Sequence, residues 1–119
     1  MPDKVDRTLR WFIEGQQGGI AQEIGGTYAL DDDYVPLWVR LSLKHPTTGS
    51  RPLKIDITDD GVTIFDTKPA ITAEQTDKVW TTIPAYPIRK DSIIKLNRDQ
   101  VADIDPGEDL TVELGLKLS

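Results

Sequence analysis

The run Val35-Pro36-Leu37-Trp38-Val39-Arg40-Leu41-Ser42-Leu43-Lys44 decides the fold class. Val35, Leu37, Val39, Leu41 and Leu43 take every second place, with Pro36, Trp38, Arg40, Ser42 and Lys44 between them. Alternation of that length predicts a β-strand with one buried and one wet face. A helix would spread the same residues around its circumference. A turn-rich stretch from His45 to Pro52 follows, after which Leu53, Ile55 and Ile57 alternate again. Asp59-Asp60-Gly61 predicts a tight hairpin, because Asp-Gly supplies the positive φ angles such turns need. Val62 to Phe65 then return as the next strand.

Working outward, the last run has the same design, with Leu110, Val112, Leu114, Leu116 and Leu118 in alternation. The two long runs are expected to be central strands lying face to face across the core, leaving no room for a reaction centre. Upstream, Leu9, Trp11 and Ile13 mark a first strand, Ala21 to Ile24 a short second one, and Thr27 to Leu30 an extended stretch. Downstream, Val79 to Ile83 and Ser92 to Arg98 read as strands, Trp80 as a core residue, and Pro84 and Pro87 force Ala85-Tyr86 into a turn or an edge. The expected fold is all-β: an antiparallel two-sheet sandwich, jelly-roll-like, of about eight strands. Residues 1–8 form an arm and 9–119 a single domain.

Twenty acidic residues against 14 basic ones give a net charge of -6. That balance argues against nucleic acid, whose binding needs clustered cations, and against an anionic membrane surface. The chain has no cysteine, which removes disulfides and thiolate metal sites. No apolar run approaches the roughly 20 residues that span a bilayer, and Met1 to Arg7 lack the apolar core of a signal peptide. Synthesis in a cytoplasm without a signal peptide is therefore expected.

The only histidine, His45, sits beside Pro46 in a loop, with no Gly-x-Ser-x-Gly elbow to go with it. Gly15-Gln16-Gln17-Gly18-Gly19 lacks the Lys and Ser/Thr that end a phosphate loop. Asp56 to Gly61 echoes a calcium loop but reaches Thr67 where a bidentate glutamate belongs. Asp31, Asp32 and Asp33 are the weak metal candidates, since adjacent carboxylates repel and a divalent ion relieves that. No cofactor, resident metal or catalytic residue is expected. Phe12 and Trp38 fall out of phase with their strands' aliphatic faces, which points to a subunit interface or a sugar-stacking platform.

The second part of the chain resembles small β-sandwich modules of tailed-phage virion proteins. The resemblance rests on Pro46-Thr47-Thr48-Gly49 before Leu53-Lys54-Ile55-Asp56-Ile57, and on Asp60-Gly61-Val62-Thr63-Ile64-Phe65. It continues through Lys68-Pro69-Ala70-Ile71 to Asp99-Gln100-Val101 and Pro106-Gly107-Glu108-Asp109-Leu110-Thr111-Val112, covering roughly residues 28 to 118. It implies a non-enzymatic structural protein of the virion surface, in capsid decoration, a head fibre or the tail. Its partners would be itself, as a homo-oligomer expected to be a trimer, and other virion proteins. The interface candidates are the arm residues Met1, Pro2, Asp3, Lys4 and Val5, together with Phe12, Trp38 and Tyr86. The alternatives are a tail-fibre module that binds a host-surface glycan, and a calcium-stabilised adhesin.

Overall fold

The computed structural model describes residues 5–119. Met1, Pro2, Asp3 and Lys4 lie outside the described residues. Nine strands follow in order: β1 (Arg7–Gln16), β2 (Thr27–Ala29), β3 (Tyr34–His45), β4 (Leu53–Asp59), β5 (Val62–Thr63), β6 (Ala70–Ile71), β7 (Asp77–Trp80), β8 (Ile93–Gln100) and β9 (Glu108–Leu118). They form two antiparallel sheets, β1-β9-β3-β7 and β2-β8-β4-β5, with β6 added beside β4. Each sheet takes strands from both halves of the chain, the double Greek-key order of a jelly roll.

Between the sheets lie Leu9 and Trp11 of β1, Val39, Leu41 and Leu43 of β3, and Leu110, Val112, Leu114 and Leu116 of β9. Leu53, Ile55 and Ile57 of β4 and Ile94 and Leu96 of β8 meet them from the other side. Each such side chain contributes on the order of 2 kcal/mol by leaving water. The Asp60-Gly61 hairpin forms as expected, with φ of 49° and 86° at its two corners.

Four expectations need correcting. The two long strands do not face each other: β3 and β9 are hydrogen-bonded neighbours in one sheet, Val39 opposite Leu114 and Leu41 opposite Val112. Alternation reports which face is buried and is silent about which strand lies alongside. Second, the alternating phase of β3 breaks. Its pairing with β9 shifts register between Pro36 and Trp38, so Tyr34 and Pro36 are buried before the shift and Val39, Leu41 and Leu43 after it. Val35 and Leu37 are only half-buried. Proline cannot donate to the ladder, and a bulge beside it absorbs the mismatch. Third, Arg7 and Thr8 are not arm residues; they open β1 opposite Leu116 and Gly115. Fourth, Ala21 makes only an isolated bridge to Arg98, and no strand runs to Ile24.

One end of the sandwich is closed by an arginine. The inward phase of β8 runs from Ile94 and Leu96 to Arg98, which is buried. Its guanidinium donates to the Gly19 carbonyl and to Oε1 of Gln17. The Gln17 amide, fully buried, donates onward to the carbonyls of Ile13 and Gly15 at 3.0 and 2.9 Å. Burial pulls the Arg98 pKa down, yet a guanidinium stays charged in proteins. Among the described residues no carboxylate comes within ion-pairing distance of it. The charge is held by carbonyl dipoles alone.

Candidate functional site

One side of the sandwich lies where the first sheet ends at β7 and the second at β5. Past Trp80 the chain stays beside β3 until Ile88, which exchanges two backbone hydrogen bonds with Tyr34 at 2.9 and 2.6 Å. Regular pairing lapses in between, because Pro84 and Pro87 carry no amide hydrogen. The hairpin of residues 59–66 rises opposite. Between them is a cleft of about 160 Å³ walled by Pro36, Val62, Pro84, Tyr86 and Asp66. That volume admits roughly one aromatic ring. Tyr86 is 78% exposed and Val62 69%, so apolar surface meets water at the cleft mouth. Prolines and a tyrosine give such a surface rigidity and low ordering cost on association.

The outward face of the first sheet carries the other aromatic candidates. Phe12 stands beside Thr111 in the β1–β9 pairing and is 56% exposed. Trp38 is no open platform. Its ring lies across Gly115 of β9, where an added Cβ would sit 2.3 Å from the ring, and its buried indole N–H has no acceptor among the described residues. Phe12 and Trp38 lie two strands and four rows apart, about 17 Å at ordinary sheet spacings, so one sugar ring cannot stack on both. Arg40 and Asp77 pair through two hydrogen bonds of 2.9 and 2.8 Å on the same face, and the guanidinium holds the Asp77 carboxyl below its usual range.

The three consecutive aspartates are separately engaged. Asp31 accepts from the Tyr34 hydroxyl at 2.8 Å and from Arg7 at 2.5 Å, and those partners depress its pKa. Asp32 accepts from the Asp33 amide, and Asp33 from the Lys90 amide. Among the described residues, no three acidic or histidine side chains converge as a metal site. His45 lies exposed, 3.6 Å from Glu108 on the neighbouring strand.

A polar cluster escaped the sequence reading. Asp56, on the outward side of β4, is 5% exposed, accepts from the Thr63 hydroxyl and lies 3.7 Å from Lys68, which also pairs with Asp99. Burial pushes the Asp56 carboxyl above its ordinary pKa, against the pull of Thr63 and Lys68. A carboxyl whose folded pKa is raised contributes stability fully present below the unfolded value, near 4, and lost as pH rises through the folded one. Asp56→Asn keeps the acceptor for Thr63 and cannot ionise. Melted side by side, the variant should gain on the parent between pH 4 and pH 7; a difference that stays flat or falls would refute the assignment.

No protein-family model and no curated protein matches this chain.

Proposed function

We propose that this chain is a non-enzymatic structural protein of a bacteriophage particle surface, working through assembly with itself and with neighbouring virion proteins. The observation that carries the reading is the open side of the sandwich. There Tyr86 and Val62 stand in water around a proline-walled cleft. Exposed apolar side chains gathered beside a rigid pocket are what an interface core needs. The jelly-roll order agrees with it but does not select it, since the same fold serves lectins and cupins. A capsid decoration, head fibre or tail accessory location each fits this chemistry.

Sedimentation of the purified chain across a wide concentration range, with a search for it among the proteins of intact particles, tests the proposal. Mass that rises with concentration, together with recovery in particles, is the expected outcome. A monomer throughout, absent from particles, would end it. Titration with glycans or calcium supplies the contrast: a melting temperature raised by either would favour an adhesin instead.

A further inference from the structure

The first sheet has two edges, and they are finished differently. Along β1 the Tyr28 hydroxyl sits against the strand, accepting from the Arg10 amide at 3.3 Å and donating to the Arg10 carbonyl at 2.6 Å. Near the end of β1, Gln17 takes the carbonyls of Ile13 and Gly15, and Asp109 takes the Gly15 amide. That edge is blocked at Arg10 and at its end. The outer strands of the second sheet have two or three residues each, too short to template much pairing.

The β7 edge is open. Leu43 donates to the Thr76 carbonyl, so Thr76, and by alternation Lys78 and Trp80, turn their backbone groups toward β3. Asp77 and Val79 therefore point theirs outward, and among the described residues nothing meets them. Val79 also places its side chain on the outward face, opposite Arg40, 46% exposed.

We propose that a second copy of this chain pairs antiparallel along β7, with Val79 opposite the partner's Val79, extending the sheet across a twofold axis. The register follows from the residues. Centring on Asp77 or on Lys78 would set like charges directly opposite one another. Centring on Trp80 would draw in residues 81–83, where the Ile83 amide bonds the Thr81 carbonyl and the strand ends. Centring on Val79 reaches past the strand only to Thr81, whose carbonyl is already taken by Ile83, so that its amide alone serves the partner's Asp77. That register buries valine on valine and sets Lys78 across from the partner's Trp80, a cation–π pair that occurs twice. The open cleft side lies next along the chain and adds apolar area. A net charge of -6 per chain opposes the approach, so salt strengthens the dimer.

This inference rests on self-assembly and names its surface. The chain has no cysteine, so Val79→Cys in the full chain introduces a single thiol. Opposed α-carbons in a hydrogen-bonded pair are ~5.5 Å apart, within disulfide reach. Under mild oxidation Val79→Cys should cross-link about tenfold faster than Lys44→Cys, and Val79→Lys should weaken association about tenfold or more. The melting temperature of dilute Val79→Lys should match the parent's; if that variant misfolds, the cross-linking rates decide alone. An associating parent whose Val79→Cys links no faster than Lys44→Cys overturns the β7 surface and leaves self-assembly standing. A parent monomeric even at high salt overturns both.

Discussion

Replacing Arg98 by Met should lower the melting temperature by roughly 15 °C. Methionine fills much of the space of the arginine stem but carries no donor. Two acceptors then lose their partner, Oε1 of Gln17 in a buried setting and the Gly19 carbonyl in a half-buried one. Each unsatisfied buried group costs about 1–3 kcal/mol, and about 3 kcal/mol in all corresponds to that shift for a domain of this size. Gln17 is itself the link to Ile13 and Gly15, so damage spreads along residues 13–21. Hydrogen exchange at the Ala21 amide, which bonds the Arg98 carbonyl, should quicken before the rest of β8. A variant melting within about 2 °C of the parent, well under the shift one lost hydrogen bond should give, would mean water takes over the guanidinium's contacts and the end is not closed by Arg98 at all.

Gly115→Ala has the second-largest expected effect. The new methyl would meet the Trp38 ring at 2.3–2.7 Å, and neither β9 nor β3 can retreat, since each is paired on both sides. The ring must swing into water. A cost of about 1–3 kcal/mol is expected from such overpacking, with a red shift in tryptophan emission as the indole leaves the sheet. Adding Trp38→Leu should recover part of the loss, because the collision partner is gone and the two sites are coupled. Unchanged emission would place the strain elsewhere than at the ring.

Strands are written plainly in this sequence and their neighbours are not. The alternation around Leu41 in β3 and around Val112 in β9 is enforced by burial, and burial is what a residue's own polarity records. Which strands share a sheet depends on loops that record nothing of the kind. From Tyr34 to Val39 both phases are apolar, so the pattern cannot say where the phase flips; Pro36 is the one hint. Tyr86 can be placed at an edge because its flanking prolines cannot pair. Val62 and Val79 read as ordinary strand residues, since exposure at the rim depends on what the other sheet leaves uncovered. Asp31 to Asp33 read as one acidic site and prove to be three separate anchors, because Arg7 and Lys90 arrive from distant segments. For Arg98 a signal does exist: it holds the inward place two residues after Leu96, and an ionic residue in that phase must find buried partners.

The order of the first sheet constrains how the protein comes into being. Strand β9, made after the other eight described strands, lies between β1 and β3, which precede it by more than 60 residues. A nascent chain halted before residue 108 would have both flanking ribbons in hand and nothing to join them. Pairing over such sequence distances is slow to start, and unjoined ribbons invite other chains. The ribosome therefore delivers the keystone only after the two strands it joins, and chaperone demand should fall sharply once residues 108–118 emerge.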